Sequence, residues 1–359
     1  MTCIGISRMQ QSLPDAPLDI IGDIHGEFDA LKALLHHLGY NNRGHHPQGR
    51  RLVFVGDLCD RGPDSPGVIA LVRRLVEDDK AQAIMGNHEL NLLRGDRKDG
   101  NNWFWDDVNP KEHKFEPYAR INPAEREGLL SFIGQLPLIL QREDLRVIHA
   151  AWDDNAMTQL LARSSEPLLD LFDEWERQTD AELAKQGLLS ESKAEEDAWK
   201  HALSDSDQIV PLLQATGLCD ELRQMSNPVR VLVSGVERLA REPFYSSGKW
   251  RFTDRIKWWD HYETRTPVVV GHYWRQFSPV DRKQFGKGDS NLFDDIAPTH
   301  WHGARGNVFC VDFSVGGRYQ ERRGGARRDQ GTKLAALRWP ERTLVLDSGE
   351  TLDTGGFRD

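Results

Sequence analysis

The sequence has few cysteines and no long apolar run. Its 359 residues include four cysteines, and no two of them form a Cys-x-x-Cys pair. Scattered cysteines of this kind are typical of reduced thiols in the cytosol. No apolar stretch reaches the ~18 residues that suggest a membrane span, and residues Met1 to Pro17 have no apolar core of a secretory signal. We therefore expect a cytoplasmic protein with no membrane partner.

The sequence also lacks an excess of positive charge. It has 46 Lys and Arg against 56 Asp and Glu, a net charge of −10. Residues 153–230 hold 17 acidic and 7 basic residues, so this region accounts for the whole imbalance. Because cationic neutralisation of phosphates dominates affinity for long nucleic acids, we expect no partner of that class.

What the sequence does contain is a strand-end motif that occurs three times. Apolar, strand-like stretches are followed by Gly22-Asp23, Gly56-Asp57 and Gly86-Asn87. The separations are 34 residues from Asp23 to Asp57 and 30 from Asp57 to Asn87, which are typical of successive βαβ units. Parallel neighbouring strands would bring the three polar side chains to one edge of a sheet. His25 could join them.

Two later stretches end in histidine. Leu145-Arg146-Val147-Ile148 leads to His149, as the second arm of a predicted hairpin, and Pro267-Val268-Val269-Val270-Gly271 leads to His272. Either histidine alone is more typical of a structural residue than of a ligand. Together with the three other strand ends, they predict a site of nitrogen and oxygen donors suited to Mn, Fe or Zn.

Three motifs carry a family resemblance. They are Gly22-Asp23-Ile24-His25-Gly26, Gly56-Asp57-Leu58-Cys59-Asp60-Arg61-Gly62 and Gly86-Asn87-His88-Glu89. They resemble the signatures of the calcineurin-like metallophosphoesterases, in the branch of phosphoprotein phosphatases and bacterial diadenosine tetraphosphatases. The resemblance implies an α/β fold, a four-layer α/β/β/α sandwich of two mixed sheets with a helical insertion. It also implies hydrolysis of a phosphomonoester or phosphoanhydride by metal-bound hydroxide.

The same resemblance implies a role for each motif residue. Two divalent metal ions, Mn first and Fe or Zn as alternatives, would be held by Asp23, His25, Asp57, Asn87, His149 and His272, with Asp57 as the bridge. His88 would protonate the leaving oxygen, Asp60 would orient its imidazole, and Arg61 would grip phosphoryl oxygens.

Two departures bear on the substrate. Many related families have Gly-His-x-His where this chain has Gly271-His272-Tyr273-Trp274, so an extra metal ligand is absent. Protein phosphatases typically have His-Gly-Gly where this chain has His149-Ala150-Ala151. We expect an enzyme most like a bacterial phosphoprotein phosphatase. The alternatives are a hydrolase of diadenosine tetraphosphate and related nucleotides, and a non-catalytic metallophosphoesterase-like scaffold. The expected partner is thus a phosphorylated small molecule, a nucleotide or a phosphoprotein.

The predicted domain organisation has three parts. Residues 1–152 and 231–359 would form the two halves of the catalytic domain, and 153–230 an acidic helical insertion. Thr179 and Ser192 begin two capping-box patterns within the insertion. Two interpretations of it stay open, a cap over the site and a solvated helical hairpin.

The last third of the chain suggests further phosphate contacts. Arg251 and Arg255 are candidate substrate-binding residues, and residues 275–307 are predicted to form a long loop. The basic segment 318–333 is open to two interpretations, a solvated hairpin tip or a set of arginines over the site mouth. Residues 347–359 are expected to be a loose tail.

Overall fold

The strands form two mixed sheets and one hairpin in the part of the chain that this computed structural model describes, residues 9–107, 109–278, 288–324 and 331–358. The strands are β1 (Gln10–Ser12), β2 (Leu18–Ile21), β3 (Arg51–Phe54), β4 (Ala81–Ala83), β5 (Ile139–Arg142), β6 (Leu145–Ile148), β7 (Glu237–Ser246), β8 (Lys249–Arg255), β9 (Val268–Val270), β10 (Val308–Cys310), β11 (Ala335–Trp339), β12 (Thr343–Leu346) and β13 (Thr351–Asp353). One sheet has the order β1-β5-β6-β9-β10 and the other β13-β12-β11-β2-β3-β4, while β7 pairs with β8.

Helices alternate with these strands in the first part of the chain and follow one another in the middle. The α-helices are α1 (Phe28–Leu38), α2 (Ser65–Glu77), α3 (Asn87–Leu93), α4 (Arg126–Ile133), α5 (Asp154–Leu161), α6 (Leu168–Lys185), α7 (Leu188–Trp199), α8 (Gln214–Met225), α9 (Pro228–Ser234) and α10 (Arg318–Gly324). Short 3-10 helices span Pro110–Phe115, Pro123–Glu125, Trp258–His261 and Val315–Gly317.

The two large sheets pack face to face around one apolar core. Alternate residues of a strand point to opposite faces, so Leu18 and Ile20 of β2 lie in this core while Asp19 does not. Val147 and Phe309 enter it from the other sheet. The predicted pair of mixed sheets is confirmed.

The first βα units follow the sequence pattern closely. Strands β2, β3 and β4 are parallel neighbours in that order, as their spacing predicted. Helix α1 ends where expected at Gly39, whose φ of 95° is the left-handed conformation that glycine adopts at helix ends. Asp64 caps the start of helix α2, and its carboxylate accepts the backbone N–H of Gly67 at 2.8 Å.

The chain divides into two compact units. The first comprises Met1–Ala150, Trp259–Pro279 and Asp295–Asp359, and contains both large sheets. The second comprises Ala151–Trp258 and Val280–Asp294, and contains α5 to α9 with the β7–β8 hairpin. The predicted insertion, residues 153–230, lies within this unit, and the division into domains stays a prediction. The unit continues to Trp258 because the hairpin packs on α8, where Leu239 and Phe252 lie against Gly217.

The predicted capping boxes of the second unit are wrong. Thr179 and Ser192 lie inside α6 and α7 rather than before them. The hydroxyl of Thr179 donates to the Trp175 carbonyl, four residues back, at 2.8 Å. The pattern of a Ser or Thr followed three residues later by Glu therefore does not mark a helix start here. The apolar faces of the two helices extend beyond these residues on their N-terminal side.

Parts of the basic segment and of the predicted loose tail form regular secondary structure. In the basic segment, residues 318–324 form α10, whose Arg318 pairs with Asp347 at 2.7 Å and whose Arg322 pairs with Glu27. Of the other arginines of that segment, Arg323 is exposed on α10, while Arg327 and Arg328 lie outside the described residues. The tail adds β13 to the edge strand β12. Residues 275–278 and 288–307 contain no helix or strand, as predicted for a loop.

No helix among the described residues is both long and apolar enough to cross a membrane. The three described cysteines, Cys59, Cys219 and Cys310, are free thiols and all are buried. The cytoplasmic location stays a prediction.

Substituting Phe357→Ala tests whether the C-terminal segment belongs to the folded core. Its ring centroid lies 4.8 Å from that of Trp301, and the guanidinium of Arg342 lies 4.3 Å above its face. We expect the free energy of unfolding to fall by about 2 kcal/mol, since a half-buried aromatic side chain is lost. Urea denaturation measures this fall. Asp353→Ala, an exposed change in β13, is the matched control and should cost less than about 0.5 kcal/mol. Equal stability of the two variants would restore the loose-tail interpretation.

Candidate metal centre

All six predicted metal ligands meet at one edge of the first unit. Asp23 follows β2, Asp57 follows β3 and Asn87 begins α3 after β4, so the parallel register brings these three together. His149 follows β6 and His272 follows β9, which are parallel neighbours in the other sheet. The carboxyl-terminal ends of these strands, from both sheets, therefore lie at the same edge.

The glycine before a ligand allows these segments to approach closely. A Cβ placed on Gly86 would stand 2.3 Å from Asp57 Oδ1, and one on Gly271 would stand 2.1 Å from Asp23 Oδ1. Both distances are far below van der Waals contact. Glycine is thus required at these two positions for steric reasons, and the recurrent Gly in the motifs has a physical cause.

Asp57 is shared by two groups of side chains. Its Oδ2 lies 3.7 Å from His25 Nε2, and its Oδ1 lies 3.4 Å from His149 Nε2. Asn87 Oδ1 lies between His149 Nε2, at 3.2 Å, and His272 Nδ1, at 2.9 Å. Asp23 receives the backbone N–H of His272 at 3.0 Å. In each of two groups, one donor atom per residue lies within 4.8 Å of the others, close enough to surround a cation. The groups are His25–Asp57–His88 and Asp57–His149–His272.

Backbone carbonyls fix the orientation of two imidazoles. His25 Nδ1 lies 3.1 Å from the Cys59 carbonyl, and His149 Nδ1 lies 2.7 Å from the Val55 carbonyl. A carbonyl only accepts hydrogen bonds, so Nδ1 carries the proton in each ring. The Nε2 lone pairs then face the shared carboxylate, as they do in metal-binding histidines.

His88 and Asp60 form a buried pair beside the shared carboxylate. His88 Nδ1 lies 2.5 Å from Asp60 Oδ2, while Trp103 Nε1 donates to Asp60 Oδ1 at 2.7 Å. The backbone N–H of Asp60 donates to Ser65 Oγ at 2.9 Å. With Asp60 held on both oxygens, His88 presents its other nitrogen, Nε2, at 3.9 Å from Asp57 Oδ2.

Arg61 lies at the same site. Its Nη1 is 3.2 Å from His25 Nε2, and its guanidinium carbon lies 4.7 Å from the centroid of the Trp274 ring. The sequence predictions for His88, Asp60 and Arg61 thus fall on neighbouring side chains.

Comparison with known proteins identifies the family of this chain. The family model described as calcineurin-like phosphoesterase matches residues 16–235. The chain belongs to the calcineurin-like phosphoesterase family. An asymmetrical bis(5'-nucleosyl)-tetraphosphatase of Oceanobacillus iheyensis is 50% identical over 80 residues, which are 21% of this chain and 32% of that protein. A symmetrical bis(5'-nucleosyl)-tetraphosphatase of Serratia proteamaculans is 33% identical over 150 residues, 42% of this chain and 49% of that protein.

These matches span a third to a half of the curated relatives' length. Among solved structures, a cold-active protein-tyrosine phosphatase of a Shewanella species covers 98% of this chain, and the chain covers 84% of it, with 16% identity and a TM-score of 0.43.

Calcineurin-like phosphoesterases use a dinuclear metal centre, and the donor set here fits one. Burial raises the pKa of Asp23 well above its usual value, and the neighbouring carboxylates Asp312 and Asp57 raise it further. Burial also acts to raise the pKa of Asp57, but His149 and His88 bring it well below the usual value. Carboxylates crowded together away from water are stabilised as anions by cations, and imidazole and carboxylate donors suit Mn, Fe and Zn.

Two buried carboxylates at this site, Glu89 and Asp312, were given no role by the sequence analysis. Buried Glu89 accepts the backbone N–H groups of Gly86 at 2.9 Å and of Asp57 and Leu58 at 2.8 Å each. Its position three residues after Gly86, at a helix start, is a capping-box signal that could have revealed it. Asp312 accepts the N–H groups of Trp274 at 2.6 Å and Ser314 at 2.8 Å, a contact without a local sequence signal.

Backbone strain concentrates at this site. Ten described residues other than glycine have positive φ, and seven of them belong to the site: His25, Asp57, Asp60, Arg61, His272, Trp274 and Ser314. Such conformations cost free energy and persist only where surrounding contacts hold them. Their clustering is typical of functional sites.

The predicted substrate residues Arg251 and Arg255 lie on β8, in the second unit. Burial lowers the pKa of Arg251, and its Nε lies 3.4 Å from the Ser246 carbonyl. Their substrate role stays a prediction.

Replacing Asp57→Asn tests the shared carboxylate. We expect this variant to lose more bound Mn²⁺, measured by elemental analysis, than Asn87→Ala does, because Asp57 contacts both groups of histidines. Mn²⁺ should raise the melting temperature of the wild type, since ligands that bind the folded state stabilise it, and should not raise that of Asp57→Asn. Asp29→Asn makes the same chemical change at an exposed site and should bind metal normally. Equal metal content in Asp57→Asn and Asn87→Ala would refute a shared ligand.

Proposed function

We propose that this chain hydrolyses phosphate esters or phosphoanhydrides with the help of two divalent cations. The observation that carries the proposal is the His88–Asp60 pair, held 2.5 Å apart beside a carboxylate shared by two histidine groups. The family resemblance assigns the two cations to six other side chains, which leaves His88 as an oriented imidazole without a ligand role. Hydrolysis needs one, because the leaving oxygen must gain a proton.

The ligands divide into two sets in this proposal. Asp23, His25 and Asp57 hold the first cation, and Asp57, Asn87, His149 and His272 hold the second. A bound pair of divalent cations supplies Lewis acidity and lowers the pKa of water, which makes a nucleophile available at neutral pH. Mn²⁺ is the expected occupant, with Fe and Zn as alternatives.

The remaining residues act on the substrate directly. His88 donates a proton from Nε2 to the leaving oxygen, and Asp60 favours the protonated, correctly oriented imidazole. Arg61 binds non-bridging phosphoryl oxygens through the parallel N–H groups of its guanidinium, a planar arrangement that lysine lacks. Each role uses an atom that faces the shared carboxylate or the adjacent His25.

Two substrate classes follow from different observations. The two curated relatives described above are named bis(5'-nucleosyl)-tetraphosphatases, and this favours a dinucleoside polyphosphate. The motif resemblance in the sequence favours a phosphoprotein equally. The shared motifs contact phosphate and metal in either case, so the substrate is decided outside them.

A rate comparison tests both the activity and the substrate class. Purified protein with Mn²⁺ is assayed against p-nitrophenyl phosphate, diadenosine tetraphosphate and a phosphopeptide. We expect turnover of the aryl phosphate and a higher kcat/KM for one of the other two. Absence of turnover on all three with Mn, Fe and Zn would favour a non-catalytic scaffold, the competing interpretation.

Substituting His88→Asn tests the general acid. We expect metal content to be retained and kcat to fall by ~10²–10⁴-fold on alkyl phosphate esters, the typical contribution of acid–base catalysis. The fall should be smaller for aryl phosphates, whose leaving groups need little protonation. His113→Asn makes the same change at an exposed histidine and should leave kcat unchanged. A loss that does not depend on the pKa of the leaving group would rule out this role for His88.

A further inference from the structure

Trp274 supports the guanidinium of Arg61. It lies two residues beyond His272, and the guanidinium carbon stands 4.7 Å from the centroid of its ring. The same indole lies 6.1 Å from the His25 ring, centroid to centroid. Trp274 is therefore part of the site, although it has no group that could bind a metal, since the indole N–H only donates.

The position of Trp274 is fixed at an energetic cost. Its φ of 53° is in the left-handed region, which is unfavourable for a bulky residue. The Asp312 carboxylate accepts its backbone N–H at 2.6 Å. On the ring side lies Gly317, where an added Cβ would come into van der Waals contact with Cζ3, at 3.4 Å. A strained backbone kept in place by a buried carboxylate points to a role for the side chain it presents.

Arg61 directs one N–H group, on Nη1, toward His25 Nε2 at 3.2 Å, and the described residues give it no carboxylate partner. Arg61 itself is half-buried. A carboxylate partner would occupy the N–H groups at the edge of the guanidinium. An aromatic partner covers only its face, so the N–H groups that do not point to His25 stay available for the oxygens of an anion in the same plane.

We propose that Trp274 is a positioning residue that sets the orientation of Arg61 for binding a phosphoryl group. The proposal rests on the function proposed above, in which Arg61 binds phosphoryl oxygens. It also gives a reason for the departure at Gly271-His272-Tyr273-Trp274: the position that supplies an extra metal ligand in related families here supports the phosphate-binding arginine instead.

Inorganic phosphate is the probe, because it is the smallest ligand that Arg61 would bind. Its Kd is measured by titration calorimetry on the Mn²⁺-loaded protein, together with kcat and KM for p-nitrophenyl phosphate. For Trp274→Leu we expect the Kd of phosphate and the KM to rise by about 3- to 20-fold, the range of a cation–π contact at a partly buried site. Mn²⁺ content should not change.

Three further variants separate positioning from folding. Trp274→Asn tolerates a left-handed backbone and lacks the aromatic face, so it should bind phosphate as weakly as Trp274→Leu. Trp274→Phe keeps an aromatic face and should recover most of the affinity. Phe277→Leu, an aromatic-to-leucine change three residues further along the chain that does not touch Arg61, should leave the Kd unchanged.

A double-variant cycle decides the mechanism. In an Arg61→Ala background, Trp274→Leu should weaken phosphate binding by less than about 2-fold, because coupled residues are not additive. An equal loss in both backgrounds would overturn the proposal in favour of a structural role. If Arg61→Ala weakens phosphate binding and Trp274→Leu does not, the proposal fails while the proposed function stands. If Arg61→Ala has no effect, the phosphate-binding role of Arg61 fails first.

Discussion

The site depends on one buried carboxylate serving two sets of neighbours. Burying an anion is costly unless it is compensated. Asp57 accepts the backbone N–H of His88 at 3.0 Å, and the Nε2 atoms of His25 and His149 lie beside its two oxygens, where a bound cation would complete the compensation. Its backbone N–H is in turn bound to the buried carboxylate of Glu89, which also ties down the start of α3. The two strand-end loops therefore keep a fixed spacing. Displacing either would leave several buried polar groups without partners.

The part of the fold nearest the site was predictable because its signals are local. Three strands that each end in Gly and a polar residue, about thirty residues apart, fix the parallel order of β2, β3 and β4 and place Asp23, Asp57 and Asn87 together. The two histidines follow the same logic in the other sheet. His88, Asp60 and Arg61 were assigned by family resemblance, and the structure gathers them at the same edge.

What the sequence missed depends on contacts between distant segments. Trp103 supports Asp60 from 43 residues away, and Asp312 supports Trp274 from 38 residues away. Neither a hydrophobic periodicity nor a short motif in the sequence indicates contacts between residues this far apart. The same holds for β1, whose three residues join the sheet only because β5 offers an edge. Helix α10 was hidden by its glycines and arginines, which resemble a loop until Glu27 and Asp347 supply ionic partners.

The order of the strands has a consequence for synthesis on the ribosome. Strand β2, which leads to Asp23, lies between β3 and β11, so one of its two neighbours comes from residues 335–339. His149 and His272 sit on adjacent strands with more than a hundred residues between them. Pairings this far apart in sequence form slowly, since long loops must close first. A nascent chain thus carries most of the acidic side chains of the centre well before the histidine and the strand that complete it. The complete site can form only after β11, residues 335–339, has been made and can pair with β2.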